Sequence, residues 1–293
     1  MKILLTGATG FIGTNFILRM HGKYEIIALV RKNSNIDKIK DYCKIYYYDE
    51  NIDQILNSLK KENIKGVVHL AGKWISVHNR DDITSLINGN ITFGVQLLEI
   101  AQKLAVNFFI NTSTFGIYCN SFFYRPSSLY AATKKAYEDI IYYYALTSKN
   151  IFTNLLLFNV YGNNDSSIRL FNLLDEVAKT DKELLMSDGT QIVDYSHVYD
   201  VVNGFDCLIE LIQKDPEFCK NKIFSLKGKE RKSLKEVVML YEEVLGKKLN
   251  IKWGARAPRE LEIMQPWEGG EKLPNWEQKI SLKEGFLKMI NEK

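Results

Sequence analysis

The sequence feature that most constrains the fold is a glycine-rich turn near the N-terminus. The segment TGATGFIG, residues 6–13, stands between a short apolar stretch that predicts a strand and an apolar-periodic stretch that predicts a helix. Glycines at this spacing allow a tight turn and let a pyrophosphate approach the free N–H groups at a helix start. This position favours dinucleotide binding over a purely structural turn. The predicted cofactor contacts in the turn are Gly7, Thr9, Gly10, Phe11, Ile12 and Gly13.

Charged residues at the ends of the next two predicted strands bear on the choice of cofactor. Arg31 and Lys32 follow the second strand, where a site for NAD usually has an acidic residue that holds the ribose 2′-hydroxyl. Because arginine can accommodate a 2′-phosphate, the pair favours NADP(H) over NAD(H). The alternative is a solvated pair of cations. Asp49 ends the third strand in a position suited to the adenine amino group.

Small residues end the fourth predicted strand, where a dinucleotide would pass. The predicted contacts there are Leu70, Ala71 and Gly72. His69 lies inside this strand and is predicted to be a packed core histidine rather than a catalyst. The next helical stretch contains Asn90, whose amide is predicted to bridge backbone groups beside the active strand, with helix capping or simple packing as the alternative.

The residues with the clearest chemistry lie in the middle of the chain. The apolar run FFI predicts a buried strand that delivers Thr112, Ser113 and Thr114 to the open edge of a sheet. Tyr130 and Lys134 follow in a predicted helix, and their spacing places both on one helix face. A hydroxyl, a phenol and an ammonium together can hydrogen-bond a carbonyl oxygen and pass it a proton. The alternative is an ordinary amphipathic helix, since the segment is rich in tyrosine.

Short buried strands alternate with helices as far as Gly162. The predicted strands are residues 2–5, 24–30, 44–48, 66–72, 108–110 and 153–158. The predicted helices among them are residues 11–21, 81–105 and 130–146. This alternation predicts an α/β fold of the Rossmann type, a doubly wound parallel sheet that binds ligands at the carboxyl ends of its strands.

The alternation is lost after Gly162. The remaining predicted elements are helices at residues 168–179, 199–213, 234–245 and 282–290 and strands at residues 191–195 and 222–226. We interpret residues 1–162 as a cofactor lobe and residues 163–293 mainly as a smaller lobe for the substrate, with about 191–213 returning to the first lobe. The loop at residues 254–276 is long enough to form a lid over a bound anion.

Composition excludes several classes of protein. The chain of 293 residues has a net charge of +4 without a long basic block, so nucleic acid is not an expected partner. No apolar run approaches the roughly 20 residues of a membrane span, and the N-terminus does not read as a signal peptide. The four cysteines show neither paired nor metal-ligand spacing. We therefore expect no metal, no membrane and a cytoplasmic location with free thiols.

Motifs along nearly the whole chain resemble extended short-chain dehydrogenase/reductases of the nucleotide-sugar epimerase/dehydratase family. The matching segments are TGATGFIG at 6–13, HLAG at 69–72, NITFGVQLLEIA at 90–101, STFGIY at 113–118, YAATK at 130–134, FNVYG at 158–162, DYSHVYDVV at 194–202 and LPNW at 273–276. The resemblance implies a Rossmann lobe for NAD(P) and a C-terminal lobe for a nucleoside-diphosphate sugar.

The resemblance also implies residue roles. Thr114 is the expected active hydroxyl and Tyr130 the proton carrier, while Lys134 holds the nicotinamide ribose and tunes Tyr130. Cofactor contacts are implied at Thr112 and Val160. Substrate contacts are implied at Phe115 and Asn159, in addition to Thr114.

Two positions after Thr114 restrict the chemistry within this family. Sugar 4,6-dehydratases have an Asp-Glu pair where this chain has Phe115 and Gly116, so no carboxylate is placed for elimination of water. Epimerase-reductases of the fucose-synthase type have a cysteine at the position of Gly116. What remains is 4-epimerisation with a tightly held NAD, or reduction of a 4-keto group by NADPH.

Arg31 and Lys32 favour reduction over epimerisation, because a phosphorylated cofactor suits net reduction. The short connection from Thr114 to Tyr130 is also similar to that of NADPH-dependent 4-reductases of nucleoside-diphosphate 4-keto-6-deoxyhexoses, the CDP-abequose synthase type. Such enzymes serve deoxysugar biosynthesis for a surface polysaccharide, lipopolysaccharide or capsule. The competing hypothesis is a protein that senses NAD(P) without catalysis.

One departure from the family pattern concerns the phosphates of the substrate. The family usually has an arginine before the Asp-aromatic pair at 194–195, and this chain has Val193 there. Arg256 matches the second phosphate-binding arginine of the family and is expected to contribute more of the binding, together with Arg169 or Lys73. The alternative is a substrate other than a standard nucleotide sugar. A homodimer through residues 81–105 and 130–147 is a further implication of the resemblance.

Overall fold

The structure is a computed structural model, and it describes residues 1–165 and 169–291. The strands are β1 Lys2–Thr6, β2 Glu25–Arg31, β3 Lys44–Tyr48, β4 Gly66–His69, β5 Phe108–Thr114, β6 Ile151–Leu157, β7 Asn159–Tyr161, β8 Leu184–Leu185, β9 Ile192–His197, β10 Ile223–Ser225, β11 Arg231–Ser233, β12 Ile251–Lys252 and β13 Glu271–Lys272. The helices are α1 Phe11–Met20, α2 Ile52–Leu59, α3 Asp82–Ile87, α4 Phe93–Lys103, α5 Leu129–Thr147, α6 Leu170–Thr180, α7 Val198–Lys214, α8 Pro216–Cys219, α9 Leu234–Leu245 and α10 Leu282–Asn291.

Eight strands form one parallel sheet in the order β3-β2-β1-β4-β5-β6-β10-β13. The direction of the strand order reverses between β1 and β4, because β2 and β3 lie on one side of β1 and the later strands on the other. In sheets of this type, ligands bind at the carboxyl ends of the strands beside the reversal point. The predicted Rossmann-type doubly wound fold is confirmed.

Both faces of the sheet are buried by helices. Successive residues of a strand point to opposite faces, so Ile3 and Leu4 of β1 belong to two different core clusters. The first cluster contains Phe16 of α1 and Phe205 of α7, whose rings meet edge to face at 6.3 Å. The second contains side chains of α4 and α5, including the fully buried Tyr137. These two helix layers fix the sheet edge at which the site lies.

A third core cluster lies in the C-terminal part of the chain, around Phe171, Tyr241 and Phe286. It joins α6, α9 and α10, whereas α7 packs on α1 of the N-terminal part. The division into a cofactor lobe and a substrate lobe at Gly162 stays a prediction.

Several elements differ from the sequence predictions. The predicted strand at 191–195 forms β9 in a separate three-stranded sheet of order β11-β9-β7, outside the parallel sheet. The predicted loop 254–276 includes β13, which pairs with β10 at the sheet edge. Helix α2 was not predicted. The predicted helix 81–105 is divided by a π turn at Asn88–Thr92. The start of the predicted helix 168–179, Ile168, lies outside the described residues.

No helix within residues 1–165 and 169–291 has the length and apolarity needed to cross a bilayer. The four cysteines are unpaired thiols. Across the same part of the chain, no group of His, Cys, Asp and Glu side chains is arranged to hold a metal ion.

Candidate active site

The glycine turn after β1 is packed so closely that side chains would not fit. Gly7 has φ of +68°, and a Cβ there would lie 2.6 Å from the backbone nitrogen of Ala71 at the end of β4. A Cβ at Gly13 would lie 2.1 Å from the carbonyl oxygen of Gly7. Gly10, the N-cap of α1, offers no side chain to the first N–H groups of the helix. The turn therefore fits the pyrophosphate of a dinucleotide, which can bind these N–H groups at the sheet reversal point.

His69 helps to join the ends of β1 and β4. Its Nδ1 lies 2.7 Å from the hydroxyl oxygen of Thr6, which also accepts a hydrogen bond from the N–H of Ala71 at 3.3 Å. Burial, and then the charge of Lys134, hold the pKa of His69 well below its usual value. The prediction that His69 is a packed core histidine is confirmed. The contacts of a cofactor with Leu70, Ala71 and Gly72 stay predictions.

Asn90 lies in the π turn and connects three segments. Its Oδ1 accepts from the N–H of Lys73 at 2.7 Å, and its Nδ2 donates to the carbonyl of Lys73 at 3.0 Å and to the hydroxyl of Thr133 at 3.0 Å. The predicted bridging of backbone groups is confirmed. Because Thr133 lies on α5, the amide also fixes the chain after β4 against the helix that carries Tyr130.

The predicted determinants of cofactor choice lie at the ends of two neighbouring strands. Arg31 ends β2 in register with Tyr48, the last residue of β3, and both Arg31 and Lys32 are exposed. Asp49 follows β3 and accepts a hydrogen bond from the N–H of Asn51, the N-cap of α2. Their contact with a cofactor stays a prediction.

The end of β5 and the start of α5 meet around Gly116. The hydroxyl oxygen of Thr114, the last residue of β5, accepts from the N–H of Gly116 at 3.2 Å. A Cβ at Gly116 would lie 3.5 Å from that oxygen, 3.0 Å from the hydroxyl of Ser127 and 3.6 Å from Cβ of Ala131. Ala131 directly follows Tyr130. The fold thus brings Thr114 and the first turn of α5 to the same place at the carboxyl edge of the sheet.

Burial shifts the two titratable groups predicted to be catalytic. Helix α5 begins at the N-cap Ser128, whose side chain accepts from Ala131, so Tyr130 lies in the first turn and Lys134 in the second. Burial raises the pKa of Tyr130 to about 12, while the charge of Arg169 opposes this rise. Burial also lowers the pKa of Lys134 to about 8, against the effect of Glu138. In the free protein the phenol is protonated and is a proton donor at neutral pH.

Arg169 lies beside the cofactor turn. Its guanidinium carbon is 6.0 Å from the centre of the Phe11 ring and 5.6 Å from that of Trp74, and it forms an ion pair with Asp165 at 3.7 Å. Burial raises the pKa of Tyr195, and the charge of Arg169 opposes this rise. Arg169 thus places a cation against the side chain of Phe11, the first residue of α1.

The other predicted ligand contacts are spread over several elements. Phe115 stacks on Phe158 with ring centres 5.2 Å apart, and Asn159 donates to the carbonyl of Asp194 at 3.2 Å. Val160 is buried in β7, and the hydroxyl of Thr112 is buried without a hydrogen-bond partner among the described residues. Their contacts with ligands stay predictions.

The roles of three positions in phosphate binding also stay predictions. The side chain of Lys73 is exposed, while its backbone bonds to Asn90. Arg256 is also exposed, and its N–H donates to the carbonyl of Met186 at 3.1 Å. Val193 packs against the C-terminal core cluster.

Sequence reasoning missed a charged network next to this site. Asp194 is fully buried and accepts from Nε of Arg231 at 2.9 Å, while Arg231 also pairs with Glu268. The Arg231 guanidinium carbon lies 5.5 Å from the centre of the Phe158 ring. The sequence contained a signal only for Asp194, as part of the Asp-aromatic pair. Its partners are far away in the chain.

The predicted lid is attached to the turn that follows Thr114. The ring of Trp267 stacks on that of Tyr118 at 3.8 Å with an interplanar angle of 8°, and its Nε1 donates to the carbonyl of Phe122 at 3.1 Å. The side chain of Asn120 accepts from the N–H of Met264 at 2.7 Å. This part of residues 254–276 therefore forms a wall against the active-site turn.

The chain is similar to known proteins over most of its length. The profile of the NAD dependent epimerase/dehydratase family matches residues 3–223. CDP-abequose synthase from Salmonella muenchen is 28% identical over 300 residues, which cover 100% of this chain and 98% of that protein. UDP-glucuronate 4-epimerase from Thermodesulfobacterium geofontis is 25% identical over 316 residues, covering 98% of this chain and 94% of the relative.

A solved structure agrees over the whole length. The crystal structure of UDP-glucuronic acid 4-epimerase from Bacillus cereus, in complex with UDP-glucuronic acid and NAD, superposes with a TM-score of 0.86 at 25% identity. The match covers 99% of this chain and 98% of the epimerase.

Proposed function

Since the chain belongs to the NAD dependent epimerase/dehydratase family and so to enzymes that modify nucleotide sugars, we propose that it reduces a nucleoside-diphosphate 4-keto-6-deoxyhexose at C4 with NADPH. The product would be a deoxysugar nucleotide for a surface polysaccharide. The likeness to CDP-abequose synthases over the full length supports this proposal, and the nucleotide base stays open.

The observation that carries the proposal is the composition of the space around Gly116. It is bounded by the hydroxyls of Thr114 and Ser127 and by Ala131, and a side chain at position 116 would come within 3.0 Å of the Ser127 hydroxyl. Neither Phe115 nor Gly116 supplies the carboxylate or thiol that elimination or C3/C5 epimerisation uses as acid or base. The groups left beside the strand end suit proton donation to an oxygen.

The residues of the turn after β1 fit a dinucleotide, and they would hold NADPH through the N–H groups of α1. Arg31 and Lys32 would bind its 2′-phosphate. When bound, this cofactor supplies the hydride. Lys134 would hold its nicotinamide ribose, and Thr112, Asn90 and Val160 would line the same cleft.

The chain itself supplies the proton and stabilises the charge. Tyr130 would donate its phenolic proton to the C4 oxygen, and Thr114 would donate a hydrogen bond to the same oxygen. The ammonium of Lys134 then favours the tyrosinate that remains. Because the pKa of Lys134 is lowered to about 8, the ammonium population falls as the pH rises past this value. We expect the rate of reduction to fall in the same range.

A second candidate function is 4-epimerisation with bound NAD. It is favoured by the full-length likeness to the Bacillus cereus epimerase, whose complex contains NAD. A protein that only senses NAD(P) is the third candidate, and Val193 is the residue that favours it. The homodimer is also a proposal, supported by exposed apolar side chains on α3 and α5, namely Ile83, Ile87, Tyr142, Tyr143 and Leu146.

A substrate panel separates these candidates. The protein is incubated with NADPH and CDP-, dTDP-, GDP- or UDP-4-keto-6-deoxyhexoses while the near-ultraviolet absorbance of the reduced nicotinamide is followed. Loss of absorbance with a 4-hydroxy product supports the reductase. Interconversion of 4-hydroxy sugar nucleotides without added cofactor supports the epimerase, and binding without turnover supports the sensor.

The variant Tyr130→Phe tests the proton donor. We expect kcat to fall by about 10³-fold or more, because the donor to the C4 oxygen is lost, while the dissociation constant of NADPH changes by less than about twofold. Tyr42→Phe, at an exposed tyrosine outside α3 and α5, is the matched control and should retain full activity. Retained turnover in Tyr130→Phe would contradict the assignment.

A further inference from the structure

Helix α5 carries a third polar residue on the face of Tyr130 and Lys134. Glu138 is one further turn along, so the three side chains stand at i, i+4 and i+8. Lys134 is 4% exposed and Glu138 is 5% exposed. Charged side chains are rarely buried to this degree without a partner, so the structure must supply interactions that stabilise them.

The partner of Glu138 belongs to the strand that carries Thr114. The hydroxyl of Ser113 donates to Oε1 of Glu138, and Ser113 is itself 2% exposed. Ser113 directly precedes Thr114 in β5, and the strand is fixed there by parallel pairing with Leu156 of β6. This hydrogen bond therefore joins α5 to β5 one residue before the proposed active hydroxyl.

The second oxygen of Glu138 remains without a hydrogen bond among the described residues. Lys135 lies 3.8 Å from it, but the ammonium of Lys135 is bound to Asp139 at 2.5 Å, on the outer side of the helix. Burial raises the pKa of Glu138, while the Ser113 hydrogen bond and the charges of Lys135 and Lys134 oppose this rise. The carboxylate form therefore depends on these partners, and its charge acts on nearby groups in the interior.

The groups around Lys134 identify where that charge acts. On its own helix Lys134 stands between Tyr130 and Glu138. From β4 the electrostatic partner of Lys134 is His69, whose pKa is held well below its usual value by burial and by the charge of Lys134, so the ring is neutral at physiological pH. Two polar side chains of the π turn and β5, Asn90 and Ser113, carry no charge. Glu138 is thus the carboxylate that favours the ammonium form of Lys134.

We propose that Glu138 is a positioning residue: its bond to Ser113 fixes α5 against β5, and its carboxylate keeps Lys134 charged beside Tyr130. The inference rests on the proposed reduction, in which the Lys134 ammonium stabilises the tyrosinate. Glu138 itself would touch neither substrate nor cofactor.

The test compares the pH dependence of kcat/KM for the full-length protein and its variants. In Glu138→Gln the hydrogen bond can persist but the charge is removed, so the alkaline limb due to Lys134 should move about one pH unit lower. At a pH above the alkaline declines of both proteins, kcat/KM of the variant should therefore be about tenfold lower than that of the parent protein. At a pH well below both declines, the two values should be equal. Glu176→Gln, at an exposed carboxylate on α6, should leave the limb in place.

Ser113→Ala provides a second, milder change. It removes the donor that stabilises the charged form of Glu138, so the limb should move in the same direction by a smaller amount, which keeps the test valid if Glu138→Gln does not fold. An alkaline limb that is the same in the parent protein and in both variants would overturn the inference.

The protonation of Lys134 can also be measured without a substrate. In protein with nitrogen-labelled lysine, the Nζ resonance, assigned with Lys134→Arg, should titrate at a lower pH in Glu138→Gln than in the parent. If the parent protein reduces no sugar nucleotide, the proposed function fails, and this titration still decides whether Glu138 sets the charge of Lys134. Identical titrations would end the proposal.

Discussion

The two regions that flank the candidate site are built in different ways. Around β1, successive strands and helices are adjacent in the chain, and the contacts that shape the glycine turn are backbone to backbone, as at Gly7 and Gly13. On the other side of the sheet, the short strands β10 and β13 come from distant parts of the chain. Next to the end of β10, Arg231 of β11 pairs through its side chain with Asp194 of β9 and with Glu268.

The difference shows which part of the site tolerates variation. A cofactor is the same molecule in every enzyme that uses it, and a backbone cradle binds it with little dependence on side chains. The region proposed to bind the substrate is built from pairs of side chains, and there a single residue change can alter what a site binds. Three perturbations test this contrast, and each has a matched partner in the molecule.

The largest effect is expected from Gly13→Ala. The new Cβ would lie 2.1 Å from the carbonyl oxygen of Gly7, and neither backbone segment can move without opening the turn. We expect a loss of more than about 3 kcal/mol in the free energy of unfolding and loss of NADPH binding, measured by chemical denaturation and fluorescence titration.

Gly246→Ala, at the end of α9, is the control for this substitution. Gly246 ends α9 with φ of +69° and open space around it, so only backbone strain of about 1 kcal/mol should result. Equal losses in the free energy of unfolding of the two variants would show that the backbone packing of the glycine turn has no special importance.

The next effect is expected from Arg231→Met. It leaves the fully buried Asp194 with only its backbone bonds, and breaking a buried pair in this way typically costs about 3 kcal/mol. Burial already raises the pKa of Asp194 against the effect of Arg231, so the loss should be smaller at acidic pH, where the carboxyl group is neutral.

Urea denaturation at several pH values measures this effect. Lys23→Met removes a cation that is 42% exposed and paired with Asp206, and it should cost less than about 1 kcal/mol. An Arg231→Met variant as stable as Lys23→Met would show that this region does not depend on its charged network.

The smallest effect concerns two buried histidines, His69 at the end of β4 and His197 at the end of β9. Burial, with Lys288 and Arg19, lowers the pKa of His197 to about 4, and His69 is lowered as well. Because the folded protein binds the proton less well than the unfolded chain, stability is full above about pH 6.5 and falls as the pH drops toward 4. We expect His197 to contribute about 1–3 kcal/mol of this fall.

Thermal unfolding at a series of pH values gives the measurement. His197→Gln should flatten the acid dependence in part, and His69→Gln should flatten it separately, because the two histidines belong to different sheets. A stability profile that does not change in His197→Gln would contradict the lowered pKa.

Elements whose signals are local could be predicted from the sequence. The bounds of α9 agree with the prediction at both ends, because Ser233 and Glu236 form a capping box and Gly246 ends the helix in the left-handed region. The glycine turn, the parallel strands around it and the helix with Tyr130 and Lys134 likewise depend on residues close in the chain.

Elements that depend on distant partners could not be predicted. Strand β13 has two residues and exists only by pairing with β10, and the π turn at Asn88–Thr92 accompanies the bonds of Asn90 to Lys73 and Thr133. The placement of Arg169 between Phe11 and Trp74 also joins segments far apart in the sequence.

The sequence by itself determined the Rossmann-type sheet, the family and the identity of the residues proposed for catalysis, because periodicity, glycine spacing and motif order are properties of neighbouring residues. Only the tertiary structure decided that Ser113 holds Glu138 beneath Lys134, that Asp194 is neutralised by Arg231, and that the loop with Trp267 lies against Tyr118. These are long-range contacts in a buried environment, where the strength of a charge depends on what surrounds it.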